Sequence, residues 1–290
     1  MARNNKHALE FNNGSLLTIG EMPFTQQGTI EFWMKNYDLA NYRNPISTNG
    51  ANGGNIGFRV EYDAAGNLSA IMGNDSGVYS GGYFIKIGLK PNTWNHLAVT
   101  WNVAEMTYKG YLNGAKVFEL ENYTSFPTKF HNIVLGCGFA SSRPFNGLLD
   151  EFRIWSVERA DFQIRNNYNY MLTGKEIGLT RYLRFLEGAG PHTTDLITKH
   201  NFSLGTVRWA DAEVDLFGRV ELQISDEDKD VLLARNTDYS FNFSIFPTAP
   251  LDTVENNLMV EDGTIGGGHI WKSTIKLNDW DRIIRMRTEG

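Results

Sequence analysis

Residues 145–155 read FNGLLDEFRIW, a mostly apolar run that contains two adjacent carboxylates, Asp150 and Glu151. Side chains of a β-strand alternate between the two faces of its sheet. Alternation therefore predicts one face made of Leu148, Asp150, Phe152 and Ile154, and a second face made of Leu149, Glu151, Arg153 and Trp155. Glu151 can pair with Arg153, whereas Asp150 lies among apolar side chains. Because burying an unpaired carboxylate is costly, we expect Asp150 to be buried and held by hydrogen bonds or by a metal ion.

The same alternating pattern recurs along most of the chain. Short Gly, Asn and Asp turns separate the runs, and Asn113-Gly114 is a strong signal for a two-residue hairpin. Many short strands with regular turns favour an all-β sandwich or jelly roll. The predicted strands are 28–35, 56–62, 68–73, 83–89, 96–102, 109–120, 132–138, 178–190 and 205–213.

One helix, and a change in the sequence pattern near residue 217, complete the predicted organisation. In the segment 156–174, apolar residues recur at helical spacing and Gly174 can end the helix, which predicts a helix at about 161–172. Beyond about residue 217, strand-like runs occupy 218–224, 239–246, 269–277 and 281–287. The sequence thus predicts a main domain at 6–215 and a small β region at 218–290, either a truncated second module or an appendage.

Composition excludes several classes of function. The net charge of −6 and the absence of a basic patch argue against nucleic acid or an anionic membrane as the main partner. No apolar run approaches the roughly 18 residues of a membrane span. The single cysteine, Cys137, is expected to be buried filler, and the N-terminus has no apolar signal region. Localisation is left open, although the fold suggests extracellular or particle-surface action.

Five segments in order resemble the laminin-G-like jelly rolls of the concanavalin A-like lectin and glucanase superfamily. They are ALEFNNGSLLTI (8–19), GTIEFWMK (28–35), NTWNHLAVTWN (92–102), KGYLNGAKV (109–117) and residues 145–190, which begin with FNGLLDEFRIW. The resemblance covers about residues 6 to 215. It implies two antiparallel sheets, with binding at the rim loops or on the concave face.

The resemblance also implies a candidate metal site, because many relatives hold calcium at one edge through side-chain and backbone oxygens. Asp150 is then a candidate ligand, with Asn12 in the FNNG turn and Asp195 in the HTTDL loop as candidate co-ligands. Asn12 is neutral where relatives often carry Asp. A hydrogen-bonded structural carboxylate remains the alternative for Asp150.

Catalytic motifs are incomplete. The glucanases of this superfamily use E-x-D-x-x-E on one strand, and the nearest match, Glu213-Val-Asp215-Leu-Phe-Gly218, lacks the second Glu. We therefore expect no enzymatic activity. Asp226, Asp228 and Asp230 have D-x-D spacing, but Val231 and Thr237 stand where an EF-hand loop needs Gly and Glu, so a solvated turn is favoured.

Two loops carry the residue types that bind sugars, namely aromatic rings with Asn and Asp. The first loop supplies Tyr37, Asp38, Tyr42 and Asn44, and the second supplies Asn74, Asp75, Tyr79 and Tyr83. Ordinary turn residues with half-buried tyrosines are the alternative.

The sequence thus favours a non-catalytic recognition module, of lectin or adhesion type, that binds a glycan or protein surface, with calcium assistance left open. The rivals are an assembly subunit of a surface layer, phage particle or injection apparatus, in which self-association is expected, and, less favoured, a glycoside hydrolase.

Overall fold

The structure is a computed structural model that describes residues 5–12, 14–40, 42–48, 57–79, 86–138, 142–214, 216–218, 230–231, 260–265, 268–272 and 286–287. The chain divides into two compact units, Met1–Gly218 and Arg219–Gly290. In the part of the chain that the structure describes, no helix is long and apolar enough to cross a membrane.

The described part of the first unit consists of one short helix and of strands that are nearly all paired antiparallel. In chain order its described elements are β1 (Asn5–Phe11), β2 (Leu17–Pro23), β3 (Gln27–Asn36), β4 (Arg43–Ser47), β5 (Gly57–Tyr62), β6 (Leu68–Gly73), β7 (Trp94–Asn102), β8 (Thr107–Leu112), β9 (Ala115–Leu120), β10 (Lys129–Leu135), β11 (Gly147–Trp155), α1 (Asp161–Asn167), β12 (Tyr170–Met171), β13 (Leu179–Leu183), β14 (His192–Thr194), β15 (Asn201–Ser203), β16 (Arg208–Val214) and β17 (Phe217–Gly218).

Two sheets enclose the main core. The larger one has the order β16-β1-β11-β3-β7-β8-β9, with β13 also paired to β11, and the smaller one has the order β2-β10-β4-β5-β6. The core takes alternate residues from both sheets, such as Ile30, Phe32 and Met34 of β3 and Phe58 and Val60 of β5. The all-β jelly-roll sandwich with one short helix is confirmed.

The hairpin between β8 and β9 follows directly from its turn residues. Asn113 and Gly114 have φ values of 48° and 79°, the left-handed conformation that such a turn requires. The pairing Leu112↔Ala115 closes the hairpin, as the sequence predicts.

The face assignment for residues 145–155 is wrong, because β11 contains a bulge. Its register with β3 shifts between Asp150 and Arg153, and Glu151 has φ 52°. A bulge inserts one extra residue and interrupts the alternation. Consequently Phe152 and Ile154 lie in the main core, whereas Leu148 packs with Ala8 and Ala212 in a separate cluster.

Two local predictions need correction. The helix is shorter than expected, because it ends at Asn167 and is followed by β12. Ile164, Tyr168 and Leu172 belong to three different apolar clusters and do not form a single stripe. Residues 86–89 of the predicted strand 83–89 are not a strand, and 83–85 lie outside the described residues.

The second unit is described through four short strands, β18 (Asp230–Val231), β19 (Val260–Ile265), β20 (Gly268–Lys272) and β21 (Met286–Arg287). β19 pairs with β20, and β18 pairs with β21, both antiparallel. Of the predicted strand 218–224 only Gly218 is described, at the end of β17, and the predicted strand 239–246 lies outside the described residues, as do Asp226 and Asp228.

Candidate functional site

The loop that joins β3 to β4 meets the segment before β11 at one rim of the sandwich. The backbone N–H of Tyr37 donates to the carbonyl of Asn146 at 3.0 Å, and that of Asn44 donates to the carbonyl of Arg143 at 3.0 Å. Arg43 adds a hydrogen bond from Nη1 to the carbonyl of Pro144 at 2.8 Å. These bonds fix the position of a group of side chains that we call the Tyr42 rim: Asp38, Tyr42, Arg43, Arg143 and Asn146.

An aromatic ring and a guanidinium stack at the centre of the Tyr42 rim. The Cζ atom of Arg143 lies 4.6 Å from the ring centroid of Tyr42, which is a cation–π contact. Tyr42 is 46 % exposed, and Nη1 of Arg143 is held at 2.6 Å from Oε2 of the buried Glu61. The ring is therefore accessible to solvent and backed by a fixed cation.

Both stacked residues have an unusual backbone. Tyr42 has φ 61° and Arg143 has φ 54°, in the left-handed region that favours glycine. Bulky side chains in this region carry a conformational cost, and such strained residues cluster at functional sites. Two of them in contact mark this rim as a candidate site.

A carboxylate lies in the same group. Oδ2 of Asp38 accepts from Nδ2 of Asn146 at 2.7 Å and from Nη2 of Arg43 at 3.4 Å, and the Asp38 side chain is 36 % exposed. Among the described residues, three inner polar atoms have no hydrogen-bond partner: Oδ1 of Asp38, Nε of Arg43 and the hydroxyl of Tyr62. Burial and the charge of Asp38 raise the pKa of Tyr62 above its usual range. Unsatisfied polar groups cost stability, so this rim is not optimised for folding alone.

The other candidates in this loop have structural contacts. The Tyr37 hydroxyl donates to Oε1 of Glu10 at 2.9 Å, and burial together with Glu10 raises the pKa of Tyr37 to about 12. Asn44 is fully buried and its Nδ2 donates to the carbonyl of Val60.

The second candidate loop lies at the opposite end of the smaller sheet. Arg43 pairs with Tyr62 at one end of β4, whereas β5 and β6 pair through Gly57↔Gly73 at the other, just before Asn74. The two predicted loops therefore do not form one site. Tyr83 lies outside the described residues.

The described residues of the second loop form a closed turn with one exposed ring. Oδ1 of Asn74 accepts from the backbone N–H groups of Ser76 and Val78 at 3.0 Å. Asp75 accepts from the Thr128 hydroxyl and backbone, and these bonds lower its pKa. Tyr79 is 41 % exposed.

The calcium candidates lie on three separate elements. Asn12 is exposed, just beyond β1, and Asp150 is fully buried, with its Oδ1 accepting from the backbone N–H of Glu151 at 2.8 Å. The oxygens of Asp195 accept from Nη1 of Arg181, the Thr198 hydroxyl and backbone N–H groups, which does not fit a cation ligand. Among the described residues, no group of three or more His, Cys, Asp or Glu side chains could hold a metal. Burial of Asp150 is confirmed, and calcium binding stays a prediction.

A buried ionic network lies on the face of the larger sheet that points away from the main core. Glu31 is fully buried and accepts from Nη1 of Arg159 at 2.8 Å and from Nε1 of Trp155 at 2.9 Å, with Nη1 of Arg153 at 3.5 Å. Nε2 of His96 lies 3.4 Å from Glu31. These charged side chains are no more than 5 % exposed, so the network is closed to a substrate and stabilises the packing of the segment after β11.

In the same network Glu151 pairs with Arg153, as the sequence predicts. Its Oε2 lies 2.5 Å from Nη2 of Arg153 and also accepts from the Tyr182 hydroxyl. Complete burial raises the pKa of Glu151, whereas the guanidinium of Arg153 acts in the opposite direction. The side chains of Glu213 and Asp215, from the incomplete catalytic motif, lie outside the described residues.

Sequence reasoning missed Arg43, Arg143 and Asn146 of the Tyr42 rim. In the run YRNP (42–45), the search for sugar-binding residue types selects only Tyr42 and Asn44, and Arg143 and Asn146 stand about a hundred residues later in the chain. No spacing rule connects them, because sheet pairing creates the contact.

Comparisons with known proteins agree with this architecture. No curated protein matches the chain. Among solved structures, the chain is similar to a candidate carbohydrate binding protein from Bacteroides ovatus ATCC 8483, at 20 % identity and a TM-score of 0.57. That alignment covers 72 % of this chain and 61 % of the Bacteroides protein, so the chain spans less than two thirds of its length.

Two further structures are more distant. A native heptameric SAP-like pentraxin from Limulus polyphemus is 15 % identical, with a TM-score of 0.49 and coverage of 74 % of this chain and 96 % of that chain. A Ruminococcus gnavus IT-sialidase CBM40, bound to α2,3-sialyllactose, is 18 % identical, with a TM-score of 0.48 and coverage of 56 % and 98 %. A laminin G family model matches residues 8–165, more than half of the chain. The chain therefore belongs to the Concanavalin A-like lectin/glucanases superfamily.

Proposed function

We propose that the chain is a non-catalytic glycan-binding module whose ligand binds at the Tyr42 rim. One observation carries the proposal: the exposed ring of Tyr42 is fixed against Arg143, and both residues are held in a strained left-handed backbone. A sugar presents an apolar C–H face that can stack on such a ring. The description of the Bacteroides ovatus protein as a candidate carbohydrate binding protein agrees with this proposal.

The polar groups around the ring supply the second part of recognition. Asp38 can accept hydrogen bonds from sugar hydroxyls, and the guanidinium groups of Arg43 and Arg143 can donate them. Because Asn146 and Arg43 already orient Asp38, little side-chain entropy is lost on binding. A rigid ring with pre-positioned polar groups is what a compact sugar site requires.

A glycan array with matched variants tests the proposal. Tyr42→Asn removes the ring, while Asn tolerates the left-handed backbone, so the fold is retained. We expect loss of binding by about tenfold or more, since an anchoring aromatic contributes more than about 1 kcal/mol. Tyr79→Asn, at a similarly exposed tyrosine at the other end of the sheet, serves as the control.

The outcomes separate the candidate sites. Binding that is lost in Tyr42→Asn and kept in Tyr79→Asn supports the Tyr42 rim, and the reverse pattern assigns the glycan to the second loop. A wild-type chain that binds no glycan, with calcium or with chelator, would overturn the proposed function.

A further inference from the structure

A concave feature lies at the edge of the sandwich, away from the Tyr42 rim. It is an open cleft of about 360 Å³ between β2 and the segment from β13 to β15. Its apolar floor is formed by Ile19 and Phe202, and its polar rim by Arg181, Thr198 and His200. This volume is at the lower end of the range for small-molecule sites, which suits one sugar-sized group.

Arg181 is held rigidly in this cleft. Its Nη1 donates to Oδ2 of Asp195 at 3.0 Å, its Nε donates to Sδ of Met22 at 3.1 Å, and its Cζ lies 5.6 Å from the ring centroid of Phe202. Nη2 donates no hydrogen bond within the described part of the chain. The guanidinium is therefore oriented by Nη1 and Nε while Nη2 is left available.

The carboxylate that orients Arg181 is itself fully occupied. Asp195 is completely buried and also accepts from the Thr198 hydroxyl at 2.6 Å and the backbone N–H groups of Tyr182 and Ile197 at 3.0 Å. Both oxygens of Asp195 are thus occupied by donors, and the carboxylate holds Nη1 of Arg181 in place, which leaves Nη2 as the remaining donor for an incoming anion. His200 is exposed beside it, with its ring 4.6 Å from that of Phe202.

We propose that this cleft binds the carboxylate of an acidic sugar, with Nη2 of Arg181 and the imidazole of His200 donating to the carboxylate. The sugar ring would lie over the apolar floor of Ile19 and Phe202. The inference that the ligand carries a carboxylate rests on the geometry of Arg181, whereas the inference that the ligand is a sugar rests on the proposed function. The cleft is thus a second subsite, distinct from the Tyr42 rim.

Titration of the isotopically labelled chain, followed by NMR, tests the proposal. The probes are D-glucuronate, D-glucose and acetate. We expect saturable shifts at the Arg181 Nε–H and the His200 backbone amide with glucuronate, and no such shifts with glucose. Arg181→Lys keeps a cation beside Asp195 but loses the free Nη2, so the glucuronate affinity should fall about tenfold, the worth of a charge-assisted hydrogen bond.

Two controls keep the result decisive. Arg208→Lys, at an exposed arginine elsewhere, should bind glucuronate like wild type. His200→Ala leaves the Arg181–Asp195 pair intact and should also weaken binding, which covers the case in which Arg181→Lys lowers the melting temperature. Acetate binding as tight as glucuronate would overturn the sugar part, and the absence of shifts at Arg181 and His200 would overturn the whole inference. Glycan binding that depends on Tyr42 would survive either result.

Discussion

At the residue scale, the conformation of Glu151 determines which side chains of β11 enter the core. With φ 52° this residue forms the bulge that shifts the register between Asp150 and Arg153. The bulge lets Phe152 and Ile154 enter the core while Glu151 and Arg153 pair on the other face. The Asp150 carboxylate accepts the backbone N–H of Glu151, at the bend itself.

We predict that Asp150→Ala destabilises the fold by about 1–3 kcal/mol, because a buried N–H loses its acceptor. Asp150→Asn keeps an oxygen at the same position and should cost less. Urea unfolding followed by fluorescence measures both changes. An Asp150→Ala chain as stable as wild type would show that this carboxylate does not stabilise the bulge.

Glu31 is the other decisive single residue, because it holds two arginines and a histidine in a buried network. Burial alone would raise the pKa of this carboxyl, but Arg159, His96 and Arg153 hold it well below its usual range. The unfolded chain takes up a proton near the ordinary value of 4.5, while the folded chain resists it. The stabilisation from Glu31 is therefore complete above pH 4.5 and is lost as the pH falls below it.

We predict that Glu31→Gln lowers the free energy of unfolding at pH 7 by about 3–5 kcal/mol, since it leaves buried cations without their carboxylate. Between pH 5 and pH 3 its stability should also fall less steeply than that of wild type. Urea unfolding at a series of pH values measures both effects, with Glu105→Gln at an exposed turn as the control. Parallel pH curves for Glu31→Gln and wild type would refute this role of Glu31.

The buried His96 adds a second pH range in which the stability of the fold is expected to change. Burial lowers the pKa of this histidine from 6.5, although Glu31 opposes the shift. The unfolded chain therefore binds the proton first, and stability should fall as the pH drops below about 6.5. His96→Gln should remove this part of the pH dependence, which the same urea series would reveal as a flatter curve between pH 7 and pH 5.

At the element scale, the segment after β11 is bound to the larger sheet through specific hydrogen bonds. The Thr29 hydroxyl donates to the carbonyl of Val157 and accepts from the backbone N–H of Arg159. The Tyr111 hydroxyl donates to Asp161 in α1, and Nε1 of Trp33 donates to the carbonyl of Tyr168. These bonds explain why a helix of only two turns is stable here, since isolated helices of this length are marginal.

The β8–β9 hairpin also contacts this segment, which gives an element-scale prediction. A Cβ atom at Gly114 would lie 2.8 Å from Cδ1 of Tyr168 and 3.2 Å from Cα of Arg165. Gly114→Ala should therefore cost more than the roughly 1 kcal/mol of left-handed strain alone. Gly205→Ala is the matched control, because Gly205 has φ 55° with no atom within 4 Å of the added Cβ. Equal losses of melting temperature in the two variants would show that the Tyr168 contact is unimportant.

At the scale of the whole molecule, calcium binding is testable through stability. An ion that binds only the folded chain adds about 2.7 kcal/mol at 100 times its dissociation constant. For a domain of this size that corresponds to roughly 5–11 °C in melting temperature. Melting curves in calcium and in chelator, for wild type and Asp150→Ala, decide the matter. A rise that Asp150→Ala loses supports calcium at Asp150, and equal curves for wild type in both solutions would reject it.

Catalysis and self-association are also properties of the whole chain. We predict no reducing-end release from β-glucans or other common polysaccharides, because the E-x-D-x-x-E pattern is incomplete at Gly218. Release that disappears when a single carboxylate is changed would contradict this. Light scattering after size-exclusion chromatography tests the assembly alternative, since defined oligomers without ligand would favour an assembly subunit over a recognition module.

Local sequence patterns suffice to predict the architecture of the first unit. Alternating apolar residues, as in GTIEFWMK, identify strands that bury one face, and Asn113-Gly114 identifies a hairpin, because both signals depend on local geometry alone. The sequence also paired Glu151 with Arg153 correctly and identified Tyr42 and Asp38 as candidates for a binding loop.

The positions at which those residues act depend on the assembled fold. The bulge at Glu151 depends on pairing with β3, so period-two alternation failed between Leu148 and Phe152. The helix after β11 ends at Asn167, and Tyr168 and Leu172, which the helical spacing had joined to Ile164, pack in two other apolar clusters. Arg143 reaches Tyr42, and Arg181 reaches Asp195, through sheet pairing and loop packing. Contacts between residues distant in the chain are set by the fold as a whole, so the candidate sites emerge only when the strands are assembled.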